Sequence, residues 1–218
     1  MKWSTHAHVI MASQDTKMNK FDDRIRFKER YPKSNIDTIT VSSSMSQPNE
    51  ESTLSLHSSI PTGSWTLYFH SPEETKWTLQ TFMNLGSITT WHQFWSLIDS
   101  LQTTSFSDGM FFMMRDPAPP LWESHHHIRG GCYSFRCSKK DAADTYLNYI
   151  IGSMLGTSSV NEANKINGIS ISPKRGFNII KVWNTDASTF HHPNDIHTSI
   201  GNIRESEVIY TRFVQKKM

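Results

Sequence analysis

The chain has only two cysteines among its 218 residues, Cys132 and Cys137. Two thiols cannot build the disulfide framework of a small secreted domain, so a reducing compartment is expected. No apolar run approaches about 18 residues, and no transmembrane helix is expected. The first ten residues are short of a secretory leader, because Lys2, Ser4, Thr5, His6 and His8 interrupt them. A dominant charge is also missing: 22 Lys and Arg stand against 20 Asp and Glu, for a net +2. Bulk electrostatics alone would therefore not hold a nucleic acid. The hydrophobic fraction, 36%, is low for a fully packed chain, so part of it contributes little to a core. What is abundant is aromatic: 7 Trp, 12 Phe and 6 Tyr. A soluble, intracellular protein with unusual use of tryptophan is expected.

The polar excess is concentrated at the start. Residues 17–33 are rich in charge, and residues 42–59 are rich in Ser with Asn, Gln and Glu. Such segments bury too little apolar surface to offset the entropy of ordering them. Residues 1–60 are read as a largely disordered arm, with a short helix possible over 21–31, and residues 61–218 as the folded domain. From Ser64 the pattern changes. Strands are expected over 65–69, 109–115, 132–137, 166–171, 177–183 and 208–214, from short aromatic or β-branched runs bounded by turn residues. Trp91, Phe94, Trp95, Ile98 and Leu101 form a helical stripe, and Thr90 with Gln93 makes a capping box before it. A second helix is expected from Ser138 to a stop at Gly156, and a third over 193–203. Strands outnumber helices, and the helices fall between hairpins. The fold class is α+β, a mostly antiparallel sheet with about three helices.

Three tryptophans sit at loop edges, outside apolar stripes. Trp77 follows Glu73-Glu74-Thr75-Lys76, Trp122 follows Pro119-Pro120-Leu121, and Trp183 closes a strand before Asn184. Two indoles from separate loops can sandwich a planar ligand. Glu123, beside Trp122, can accept paired N–H donors from a guanine edge. Lys174 and Arg175 can neutralise phosphates. A cationic ring between the indoles would gain a cation–π contribution of about 1–2 kcal/mol when desolvated. Together these groups suit a charged purine nucleotide with a polyphosphate tail. Each also has a plainer reading: Trp183 and Trp95 as core, Lys174-Arg175 as an ordinary charged turn. His125-His126-His127 with Cys132 and Cys137 suggests zinc at first sight, but adjacent histidines diverge and no CxxC or HxxxH spacing is present. No metal site and no cofactor are expected. GxSxG, HExxH and P-loop motifs are absent, so no enzyme activity is expected.

From Ser64 to Tyr210 the chain resembles the eukaryotic translation initiation factor 4E family, which binds the 7-methylguanosine cap of messenger RNA. The resemblance rests on Ser64-Trp65-Thr66-Leu67-Tyr68-Phe69, Thr75-Lys76-Trp77, Gln93-Phe94-Trp95-Ser96-Leu97, Pro120-Leu121-Trp122-Glu123, Arg129-Gly130-Gly131 and Lys181-Val182-Trp183-Asn184. It implies a curved sheet with helices on the convex back and the cap slot on the concave front. It implies that Trp77 and Trp122 stack on the base, Glu123 binds the guanine edge, Trp183 touches the N7-methyl group, and Lys174, with Arg175 as rival, binds phosphate. It implies that Trp95 receives partners, an initiation factor 4G-like scaffold or a 4E-binding protein, through a Tyr-x-x-x-x-Leu-apolar helix. A monomer in the cytoplasm, with the nucleus a second location, is the corresponding expectation.

This chain departs from the family pattern at several positions. A phosphate-binding Lys of the family falls at Ile179, and the Arg after the Gly-Gly pair is Cys132. Replacement cations are Lys174, Arg175, Lys181, Lys216 or Lys217. In the partner groove two leucines of the family fall at Asn148 and Gly152, and Trp91 stands where a smaller apolar residue is usual. These changes raise an alternative, a cap-binding repressor or specialised isoform that does not recruit the usual scaffold. A third reading, a His/Cys metal-dependent nucleotide hydrolase, lacks the ligand spacing it would need.

Overall fold

The computed structural model describes residues 55–101, 106–160, 166–188 and 192–213. The chain divides into two units, Met1–Leu56 and His57–Met218, and every element below belongs to the second. The helix expected over 21–31, most of the expected arm, and Lys216 and Lys217 lie outside the described residues.

Seven strands form one antiparallel sheet: β1 Trp65–His70, β2 Met83–Ile88, β3 Met110–Arg115, β4 Gly131–Cys137, β5 Ile166–Pro173, β6 Asn178–Asn184 and β7 Ile209–Arg212. Their order across the sheet is β2-β1-β3-β5-β6-β4-β7. Because strand side chains alternate between faces, the register sorts every residue to the front or the back. Leu67 pairs with Met113, Met113 with Ile169, Ile169 with Val182 and Val182 with Tyr133, a dry row across the back. The neighbouring row is Phe69, Phe111, Ile171, Ile180 and Phe135.

Helix α1 (Trp91–Ser100) and helix α2 (Ala142–Leu155) lie on this convex back. Helix α2 packs on β5 and β6 and buries Tyr146, Tyr149, Ile150 and Met154 completely. Each large apolar side chain so buried contributes about 1.5–3 kcal/mol. The expected capping box is present: the Thr90 hydroxyl accepts from the Gln93 N–H, and Gln93 Oε1 accepts from the Thr90 N–H at 3.2 Å. Gly156 ends α2 at φ 76, a left-handed position that glycine adopts without steric cost. The N-cap of α2 is Asp141, three residues later than expected, and the Ser138 hydroxyl donates to its carboxylate at 2.6 Å.

Two expectations change. Strand β2 was not expected, because Asn84, Gly86 and Ser87 are weak strand formers. It exists by pairing with β1 as an edge strand, with a bulge that leaves Leu85 without an opposite number. The helix expected over 193–203 is instead two 3-10 turns, Pro193–Asp195 and Thr198–Gly201. Its isoleucines make separate tertiary contacts: Ile196 is buried and bridges through its backbone to Ser159, while Ile200, half-buried, lies over Gly152. Two α-helices thus stand among the described residues where about three were expected.

The loop that carries Trp122 returns to the sheet through Gly130. A Cβ there would overlap the backbone carbonyl of Asn184, while the Gly130 carbonyl accepts from the Phe213 N–H at 3.0 Å. Gly130→Ala should therefore destabilise the fold by about 2–3 kcal/mol, the usual cost of forcing atoms into a packed site. Urea unfolding would read this as a lower midpoint with an unchanged slope; an unmoved midpoint would refute the close approach.

Candidate functional site

The front face carries its own small core. On β6, Ile179, Lys181 and Trp183 face forward. Trp183 stands between Cys132 on β4 and Gly168 on β5, and Lys181 between Ser134 and Ser170. Across the sheet, Met114, Phe112, Tyr68 and His70 share that face. Phe82, Phe112, Met114, Cys132 and Trp183 pack together, with Tyr68, Leu121, Trp122 and Phe213 against them. Trp183 is its centre and is only 5% exposed. Its indole N–H donates to the Ser170 hydroxyl at 3.0 Å, which satisfies a polar group that would otherwise be buried unpaired. Rings of Phe112, His127 and Phe213 surround it at centroid distances of 6.1, 5.2 and 5.1 Å.

Trp77 and Trp122 rise from this floor. Trp77 is 49% exposed and meets Phe82 edge-on at 5.9 Å. Its indole lies flat on the His70 imidazole, 4.3 Å away and within 7° of parallel. Trp122 is half-buried against the same cluster. Glu123 is exposed, and among the described residues no ion pair or hydrogen bond engages its carboxylate.

The Trp122 loop is pinned by one histidine. His127 is fully buried. Its Nε2–H donates to the Pro119 carbonyl at 2.9 Å, and the Asn167 amide donates to its Nδ1 at 3.0 Å. The loop also closes turns from Ser124 N–H to Leu121 O at 3.1 Å and from His127 N–H to Ser124 O at 2.8 Å. His125 is exposed and His126 half-buried, so the three adjacent histidines have three environments. Burial pushes the His127 pKa below the ordinary imidazole value, with the neighbouring His126 and His125 adding to the effect and the Pro119 hydrogen bond opposing it.

The cations divide into two groups. Lys174 and Arg175 are exposed at the tip of the β5–β6 hairpin, which the Lys174 N–H closes onto the Phe177 carbonyl at 2.8 Å. They lie six and seven residues from Gly168, the partner of Trp183, or about 20 Å along the strand. Lys181 is nearer, two residues from Trp183 on the same face. Cys132 and Cys137 are free and buried, and burial pushes both thiols up. For Cys132 the positive charge of Lys181 pulls the other way. The described residues contain no group of three or more His, Cys, Asp or Glu arranged to hold a metal ion.

On the back, Trp95 is half-buried, with its ring edge-on to Phe94 at 4.9 Å. Trp91 is 4% exposed and packs inward against Phe94, so it offers little surface to a partner. Asn148 and Gly152 line an open pocket of about 360 Å³, completed by Leu155, His197 and Ile200. Sequence reasoning passed over His70, Phe82, Ser170 and Phe213 as parts of the front face. Register brings His70 and Ser170 there, and Phe82 and Phe213 arrive from just beyond strand ends; their local context carries no signal of it.

The family model described as Eukaryotic initiation factor 4E matches residues 62–213. The chain belongs to that family. Its fold resembles Ascaris suum eIF4E-3 in complex with an m7G cap, at TM-score 0.61 and 15% identity over 74% of this chain and 94% of that one. It also resembles C. elegans eIF4E-3 bound to the 4E-binding protein Mextli and a cap analog, at TM-score 0.59 and 15% identity, covering 72% and 92% of the two chains. A schistosome eIF4E complexed with m7GpppA and 4E-BP matches at TM-score 0.52 and 17% identity, covering 58% and 71%.

The buried His127 makes the loop sensitive to acid. Its folded pKa lies below the unfolded value of 6.5, so the unfolded chain binds the proton first. The stability it supplies is complete above that value and is lost as pH falls through the lower folded pKa. Between about pH 7 and pH 5 the unfolding midpoint of the native chain should drop more than that of His127→Gln. Parallel curves for the two proteins would show that His127 is not the group responsible.

Proposed function

We propose that the front face binds the 7-methylguanosine 5′ cap of messenger RNA, and that the chain acts in translation initiation by bringing capped mRNA to a scaffold partner. The observation that carries this reading is one apolar floor from which two tryptophans rise, with the uncommitted carboxylate of Glu123 beside one of them. In this reading Trp77 and Trp122 sandwich the methylated base, whose positive charge adds cation–π attraction. Glu123 accepts the two N–H donors of the guanine edge. Trp183 meets the N7-methyl group with the narrow edge it leaves exposed. Lys181 meets the near phosphate, and Lys174 and Arg175 the distal ones. Family membership and the cap-bound relatives support a binding role over a catalytic one. A cytoplasmic monomer, with the nucleus as a second location, completes the proposal.

The pocket at Asn148 and Gly152 supports a second reading, a cap-binding repressor or isoform that does not use the usual scaffold. A Tyr-x-x-x-x-Leu-apolar peptide discriminates: tight binding abolished by Trp95→Ala favours the common groove, and no binding favours the specialised role.

Tryptophan fluorescence quenching tests the cap itself. Affinity for 7-methyl-GTP should exceed that for GTP, and parity between them would sink the proposal. Glu123→Ala should cost about 1.5–3 kcal/mol, the worth of hydrogen bonds to a charged group. Trp122→Leu should lose more affinity than Trp122→Phe, which keeps a π face. Lys181→Met should weaken 7-methyl-GTP more than 7-methylguanosine, which lacks the phosphates.

A further inference from the structure

The last residue of β1 is a fully buried histidine, a costly choice at a position where an apolar side chain would serve. The register sends His70 to the front, opposite Met110. There its ring makes two different kinds of contact. Its Nε2 lies 3.0 Å from the Lys76 carbonyl, which can only accept, so Nε2 carries the hydrogen. Its flat face lies under the Trp77 indole at 4.3 Å and 7°. Phe82 braces the edges of both rings, 4.7 Å from His70 and 5.9 Å from Trp77. The other ring nitrogen, Nδ1, is buried and has no hydrogen-bond partner among the described residues. An imidazole with one nitrogen spent on the backbone and the other unsatisfied is held there chiefly by its ring contacts.

Trp77 is therefore covered on one side and still 49% exposed. We propose that His70 is the rear plate of the stacking slot, a positioning residue that holds the Trp77 indole upright with a single face open to a planar ligand. The ligand base would then be the third layer of a stack that begins with His70. One ring fixes both the backbone just before Trp77, through the Lys76 carbonyl, and the plane of the indole. The Thr81 hydroxyl donates to that same carbonyl at 2.9 Å and lies 3.4 Å from His70 Nε2, so the two groups hold the turn together. An indole ordered in advance loses less freedom when ligand binds, and that preorganisation appears as affinity. The geometry stands without any ligand; the identity of the ligand rests on the cap-binding reading.

Two substitutions separate the plate from the hydrogen bond. His70→Gln keeps a donor for Lys76 and removes the ring; His70→Phe keeps a ring and removes the donor. Trp77 exposure is read by acrylamide quenching, taken as the difference from the same protein carrying Trp77→Phe. His70→Gln should make Trp77 more accessible and weaken 7-methyl-GTP about fivefold to tenfold, with His70→Phe restoring both to within about twofold. A Gln variant indistinguishable from the native chain in quenching and affinity overturns the plate. Should the native chain bind no 7-methyl-GTP, the cap reading fails while the quenching arm still judges the plate. Should a variant fail to fold, NMR of the native chain decides. The His70 ring protons should be displaced upfield by the stacked indole, and Trp77→Leu should abolish that displacement; unshifted signals overturn the proposal.

Discussion

Strand β6 holds the molecule together because its alternating side chains serve both faces at once. Ile180 and Val182 must be dry, and they are sealed under α2. Their neighbours Lys181 and Trp183 then have no choice but the front. Trp183 anchors there by donating to Ser170 and by filling the space between Cys132, Phe112 and Met114. A slip of one residue would exchange the two faces, burying the lysine and exposing the valine. The back-face core thus determines the composition of the front-face site, and stability and binding surface are set by one register.

Buried polar groups, rather than apolar contact alone, hold the loops of the site in place. His127 joins the Trp122 loop to Pro119 and to Asn167 of β5, with both ring nitrogens used. His70 joins the turn before Trp77 to β1. Each replaces a flexible connection with a directional one. Burial of His127 favours its neutral form and so couples the loop to pH. On the same face Cys132 brings no charge to the floor, since burial holds the thiol protonated. Lys181, flanked by Ser134 and Ser170, is the positive group nearest Trp183 by register.

Much of this was legible before any coordinates. Six of the seven strands follow from short apolar or aromatic runs bounded by turn residues, and α1 from its stripe and capping box. Strand β2 was not legible, because Asn84, Gly86 and Ser87 carry no local preference for extended structure and pair only because β1 offers an edge. Residues 193–203 show helical spacing of isoleucines but fold as two tight turns, since Ile196 is buried by one tertiary contact and Ile200 is half-buried by another. The tryptophans of the site stood out by their polar flanks. Their supports did not: a lone histidine at a strand end gives no hint that it lies under an indole seven residues away.

The sequence by itself determined the antiparallel class, the family, the two helices that cover the sheet, and the residue types able to grip a flat, charged base. Those follow from local periodicity and from motif order, which survive without knowledge of the neighbours. Tertiary structure alone decided that Trp183 is buried and Trp77 half-exposed, that Trp91 turns inward while Trp95 keeps some surface, and that Lys181 shares the face of Trp183 while Lys174 and Arg175 sit at a hairpin tip. The reason is that burial and facing belong to pairs of strands rather than to residues, and the pairing is chosen by the whole sheet.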